Sequence, residues 1–341
     1  MILNLRILNI FFQKTKIQHI LMFIFVFLLN IFPLKSQDVH FSQFKANLIN
    51  YNPAFAGYEK CAILSLHYKN EQALLNNGFN TFQTSYNQYI SALHGRIGIN
   101  IAKEQMGGNT FSSTYLNAMY SSHFKINRKT KLALSIETSF YQNKFDASNL
   151  VFSNMIDELN GIMFPSAENF ANKNTKFIDF STGILFYQKK NFIGISASHL
   201  RQFMLSEEQY FFPIKYSIQA GYRLSFDPLD LRKEQYAIMP IIIYGQQQKH
   251  HFLKSGFYFI KKNCSFGFWL EQSFYPYFTN NVAITTFSVK LKKTQITYSY
   301  DIPTTNLFKT SFGNSEISLQ YYFNCKEKRN DNTINCPAYE L

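Results

Sequence analysis

Residues 214–226 alternate without a break. Ile214, Tyr216, Ile218, Ala220, Tyr222, Leu224 and Phe226 fall on one face of an extended chain, and Lys215, Ser217, Gln219, Gly221, Arg223 and Ser225 fall on the other. With 46% of the chain apolar, a window of this length does so by chance roughly once in 10,000, so over ~330 starting points the period of two is real. Leu132, Leu134, Ile136, Thr138 and Phe140 repeat the pattern, as do Ile97, Ile99 and Ile101, then Ile178, Phe180, Thr182, Ile184 and Phe186, and finally Ile317, Leu319, Tyr321 and Phe323. The pattern predicts an all-β chain of about fourteen strands, starting near residues 61, 79, 95, 114, 131, 177, 191, 214, 235, 251, 264, 282, 294 and 314. The strands near 79, 235 and 282 alternate poorly.

The connections carry a second pattern. Short turns are expected at 127–130, 188–191, 261–263 and 292–293, and long connections at 144–176, 201–213, 275–281 and 302–313. Alternating short turns and long loops, with strands of about ten residues, predict a transmembrane antiparallel β-barrel. Closure follows because hydrocarbon leaves the edge amides of an open sheet unpaired. With an even strand number both barrel ends lie at the short-turn side, which such barrels place in the periplasm. The polar faces carry Glu137, Asp179, Lys215, Arg223, Glu271 and Glu316, which points them toward the lumen.

The first 36 residues read as a cleaved secretory signal. Arg6, Lys14 and Lys16 precede an apolar run over 20–32, which falls short of the roughly 20 residues a spanning helix needs. The expected division is 1–36 signal peptide, 37–60 an N-terminal segment, 61–323 the barrel and 324–341 a periplasmic tail. The signal holds four of the 34 basic residues and none of the 21 acidic ones, so the mature chain is 30 − 21 = +9. An exported chain without a recognition motif gives no reason to expect nucleic acid. The 37 Phe and 22 Tyr are expected on a lipid-facing surface with aromatic girdles.

No catalytic fingerprint, phosphate loop or HExxH zinc motif is present, and no cofactor or metal is expected. His250 and His251 are adjacent, so a strand would point them to opposite faces. The short turns are basic at Arg128, Lys129, Lys189, Lys190, Arg232, Lys233, Lys261, Lys262, Lys292 and Lys293. They form a candidate periplasmic rim that would steer an acidic partner; solvated turns are the plain alternative.

Two stretches at the ends of the mature chain stand apart. One holds His40, Phe41, Ser42, Gln43 and Phe44, then Asn52, Pro53, Ala54, Phe55, Ala56 and Gly57. Pro53 keeps it out of a central ladder, and its rings need burial, so it is expected to fold into the lumen or against the periplasmic mouth. The other holds Tyr298, Ser299, Tyr300 and Asp301, then Gly313, Asn314, Ser315, Glu316, Ile317, Ser318 and Leu319. With Tyr68–Gln72 and Ser85–Asn87, these stretches resemble the PorP/SprF family of outer-membrane proteins. The resemblance implies a non-enzymatic outer-membrane component of the type IX secretion and gliding machinery, partnered by outer-membrane lipid, type IX components and secreted cargo adhesins. Family members are similar in having a Cys-Pro near the terminus, as in Cys336-Pro337. A disulfide between Cys325 and Cys336 is expected, with Cys61 and Cys264 isolated. The alternative function is a passive outer-membrane transport barrel for hydrophobic small molecules, similar to fatty-acid transporters. A soluble secreted adhesin would not need the loop asymmetry.

Overall fold

The computed structural model describes residues 40–59, 61–71, 78–157, 161–162, 172–206, 212–226, 236–274, 279–304 and 313–323. Contacts separate Met1–Asp38 from Val39–Leu341, and every described residue belongs to the second unit. The expected signal, Arg232, Lys233, Cys325, Cys336 and the tail lie outside the described residues.

Fourteen strands run in order: β1 (Ala62–Glu71), β2 (Phe79–Ile90), β3 (Gly95–Met106), β4 (Phe111–Lys125), β5 (Lys131–Phe145), β6 (Lys173–Tyr187), β7 (Asn191–Met204) and β8 (Lys215–Tyr222, resumed at Leu224–Ser225). β9 (Tyr236–Gln247), β10 (His250–Lys261), β11 (Cys264–Phe274), β12 (Thr279–Leu291), β13 (Thr294–Pro303) and β14 (Asn314–Phe323) complete them. Each pairs antiparallel with its sequence neighbours, and β1 pairs with β14, Ala62 opposite Phe323. The sheet is therefore a closed barrel. Every strand begins within four residues of its expected start.

The burial pattern follows the pleat. Ile218 is 46% exposed and its neighbour Gln219 is fully buried. Outward residues such as Ile101, Ile136, Ile195, Phe287 and Ile317 are exposed and apolar, as lipid requires. No described helix is long and apolar enough to cross a membrane; the strands do the crossing.

Two expectations need correction. The connections do not alternate strictly: residues 248–249 make a short turn on the long-loop side, and residues 226–235 a long connection on the short-turn side. Nor do the aromatic residues serve only the lipid surface. Phe177, Tyr258 and Trp269 of the strands are all less than 2% exposed and point inward, and Tyr258 and Trp269 join the apolar core around the plug. Pro240 leaves its own mark on the wall. It has no N–H to give, and the β8–β9 ladder lapses between Gly221–Ile241 and Leu224–Ile238. The Arg223 amide faces the other neighbour and donates to Lys190 O at 2.6 Å, extending the ladder with β7.

Candidate functional site

The lumen is occupied by the chain's own residues 40–58. This segment has a single turn of helix, α1 (Leu48–Tyr51), and a 3-10 turn over Pro53–Phe55. Asn52 caps that turn, its Oδ1 accepting from Ala54 N at 2.9 Å, and Pro53 sits at the first position, where a missing N–H costs nothing. Phe41 to Phe44, Ala46, Asn47, Ile49 and Asn52 to Gly57 are buried. Of the two placements left open by the sequence, the lumen is the observed one.

The upper part of this plug, toward the long loops, is held by charges. Ser42 N donates to Glu316 Oε2 at 2.7 Å, and Ser42 Oγ donates to Asp301 Oδ2 at 2.5 Å. Lys254 Nζ donates to Phe41 O and Ser42 O, and Lys69 Nζ donates to His40 O. The His40 ring packs edge-on to Phe252 at 4.4 Å. Gln43 donates from Nε2 to Glu316 O at 2.9 Å, while its Oε1 accepts from Ser318 Oγ at 2.5 Å. Lys69, Lys254, Asp301 and Glu316 are all less than 5% exposed. A buried charge is tolerable only when paired and hydrogen-bonded, and here the plug backbone supplies part of that pairing.

Lower down, the fit is one of shape. Asn47 and Gln83 exchange amide hydrogen bonds at 2.9 and 3.1 Å. The Asn52 amide donates toward Ile184 O, Ile195 O and Gln219 Oε1 at 3.2–3.3 Å. Gly183 and Gly194 make room for it, since a Cβ at either would collide with that amide. Phe44 and Phe55 pack on Phe192 with ring centroids 6.0 and 5.4 Å apart, and Phe44 also reaches Trp269. Inward Met239, Ile241 and Ile243 of β9 belong to the same core. At the short-turn end Gly57 takes φ +57°, its N–H donates to Asn87 and its carbonyl accepts from Arg96.

The two end motifs thus meet through Ser42 and Gln43, which bond Asp301, Glu316 and Ser318, while His40 and Phe41 accept through their carbonyls from Lys69 and Lys254. Tyr300 and Ser315 lie opposite each other across β13–β14, on the face away from the lumen. Gly313 takes φ +83° at the entry to β14. Lys69, Lys254, Gln83, Gly183, Gly194 and Gln219 were missed as plug partners; period two placed Gly183 and Gln219 on the polar face of their strands, but nothing local linked any of the six to residues 40–57. Of the expected inward charges, Asp179 is bonded to His199 at 2.6 Å. His199 sits at a register shift with φ 60°. His250 is buried and His251 bonds Tyr244. Among the described residues no cluster of three metal-type ligands occurs.

Cys61, expected isolated, is disulfide-bonded, and Cys264 is free and exposed. With four cysteines in the chain, Cys325 and Cys336 remain as candidates for its partner. That bond is incompatible with the expected pairing of Cys325 with Cys336. The rim residues Arg128, Lys129, Lys189, Lys190, Lys261, Lys262, Lys292 and Lys293 all lie at the end that holds Ala62 and Phe323.

A family model described as type IX secretion system membrane protein PorP/SprF matches residues 34–321, and the chain belongs to that family. No curated protein matches it. Among solved structures it is similar to the P. putida toluene transporter TodX, with TM-score 0.47 and 8% identity over 80% of this chain and 92% of that one. It is also similar to the Acinetobacter baumannii outer membrane protein Omp33, with TM-score 0.43 and 7% identity over 78% and 100%. A KdgM porin matches at TM-score 0.36 and 7% identity over 76% and 99%.

Proposed function

We propose that this PorP/SprF outer-membrane barrel is a non-enzymatic part of the type IX secretion machinery that supports export or surface attachment of cargo adhesins, gliding adhesins among them. The observation that carries this reading is the filled lumen. Residues 40–58 are hydrogen-bonded to inward side chains from β1, β2, β3, β10, β13 and β14 and leave little space for a diffusing solute. One recess beside the plug, about 30 Å³, is lined by charged and amide groups (Lys45, Glu59, Asn87, Gln320) as much as by Leu48 and Phe55. A sealed, rigid barrel suits a station: the long loops face secreted cargo, and the wall holds them at the membrane surface.

The alternative is passive transport of hydrophobic small molecules, which needs an apolar pocket behind a movable hatch. Two measurements separate the readings. A deletion strain should lose one surface adhesin while other outer-membrane proteins remain. Liposomes containing the purified protein should take up no hydrophobic tracer above the lipid background. Uptake by the purified protein, with adhesin display intact in the deletion strain, would replace the secretion role with transport.

A further inference from the structure

The described short turns at one end of the barrel carry charge of one sign, while the longer connection 226–235 at the same end adds Asp227, Asp230 and Glu234 beside Arg232 and Lys233. In the described turns at that end, residues 91–94, 126–130, 188–190, 262–263 and 292–293, there is no Asp or Glu, while Arg128, Lys129, Lys189, Lys190, Lys262, Lys292 and Lys293 are all exposed. The opposite end mixes signs within a few residues, as in Lys69 with Glu71, Lys103 with Glu104, and Lys144 with Asp146. The basic ring is therefore specific to one mouth.

Its height against the apolar band decides what it meets. Exposed lipid-facing residues continue right up to these turns: Phe124, Ile126, Phe226, Leu291 and Phe323 are 41–58% exposed. Arg128 follows Ile126 by two residues and Lys292 follows Leu291 directly. At the strand rise of about 3.3 Å per residue, which tilt and turn geometry only shorten, the cations stand at most roughly 3–7 Å beyond the apolar edge. The polar layer on each side of the hydrocarbon is about 5–8 Å deep. A Lys or Arg side chain anchored there reaches the phosphate level without leaving the wall. An aromatic ring flanks the charges as well, with Lys261 over Tyr236 at 5.6 Å. A partner approaching from solution would meet these cations from the membrane's side of the mouth, where headgroups already surround them.

We propose that the basic ring is a phospholipid site, binding the phosphates of anionic lipids in the leaflet at the short-turn end and fixing the barrel's height and tilt. This does not depend on the secretion role, only on the barrel spanning a membrane. Lateral grip of this kind would keep the long loops at a constant elevation.

The test uses the full-length protein in phosphatidylcholine bilayers containing a trace of spin-labelled phosphatidylglycerol or spin-labelled phosphatidylcholine. The expected result is a preference for the anionic label of about fivefold at the sites beside the turns, falling as salt is raised. The preference should vanish when Arg128, Lys129, Lys189, Lys190 and Lys293 become Gln and Lys262 and Lys292, which take φ 51° and 49°, become Asn. The same number of neutralisations at the long-loop end should leave it unchanged. Equal association of the two labels with the wild-type protein at low salt overturns the proposal, whether or not the substituted protein refolds. So does a preference that survives in a refolded ring variant. Binding of a soluble polyglutamate probe through these residues, with no anionic-lipid preference, overturns it too and gives the ring to an acidic protein.

Discussion

Lys254 Nζ donates to the carbonyl oxygens of Phe41 at 3.1 Å and Ser42 at 2.9 Å. One barrel cation thereby fixes two consecutive peptide units of the plug, with Glu271 at 3.8 Å beside it. Lys254→Met keeps the stem and removes the charge. The two carbonyls lose charged donors, each worth about 1.5–3 kcal/mol, and the upper plug should loosen. The expected outcome is a folded barrel with raised single-channel conductance and earlier proteolysis near residue 40. Wild-type conductance would show that Lys254 does not hold the plug.

Removing the plug is the stronger form of the same test. A chain lacking residues 37–57 loses the fully buried rings of Phe44 and Phe55, each contributing about 1.5–3 kcal/mol. The barrel keeps its closed ladder, so it should still fold into lipid but with lower denaturant resistance and a much larger conductance. An unchanged conductance would mean the lumen is sealed by something other than this segment.

Gly183 and Gly194 form a notch that receives Asn52. Gly183→Val fills it. The Asn52 amide must then leave Ile184 O and Ile195 O, and overpacking adds its own strain, for an expected cost of about 1–3 kcal/mol. The diagnostic comparison is Asn52→Ala combined with Gly183→Val. If the notch exists for the amide, the double variant costs less than the sum of the singles.

The strands were legible where their two faces differ in chemistry. Residues 214–226 separate lipid from lumen cleanly, and the burial of Ser217, Gln219 and Arg223 against the exposure of Tyr216, Ile218 and Leu224 follows the pleat. β9 was not so clear, since Ile238, Ile242 and Met239, Ile241, Ile243 make both faces apolar. Its inner face packs on the plug core that includes Phe44 and Phe55. A period-two reading assumes a wet lumen, and the assumption fails where the chain fills its own barrel. The plug partners were invisible for a different reason. Ser42 and Glu316 are 274 positions apart, and neither residue carries a local sign of the other. Cys61 was misjudged similarly, because proximity to the tail exists only once β1 closes on β14.

Ile218 stands mid-strand on β8 with its side chain toward lipid, and Gln219 next to it is fully buried. Ile218→Arg places a cation in hydrocarbon and should cost about 2–4 kcal/mol if the position is at the bilayer midplane. The measurement is equilibrium unfolding from lipid vesicles. A substitution with no effect would move this position to the membrane boundary or into contact with another protein.

The bonded state of Cys61 yields the last prediction. Ala62 is opposite Phe323, so Cys61 stands where the closing strands end and residues 324 onward begin. Non-reducing digestion followed by mass spectrometry should find Cys61 joined to Cys325 or Cys336, with Cys264 alkylated as a free thiol. A bridge between positions so far apart in sequence constrains the unfolded chain strongly, and Cys61→Ser should lower stability by up to about 5.5 kcal/mol in the chain-entropy account. The loss should match that of adding reductant to the wild-type protein, and reductant should have no further effect on the variant. Recovery of a Cys325–Cys336 peptide with Cys61 alkylated would exclude the seam bond and restore the tail-only pairing.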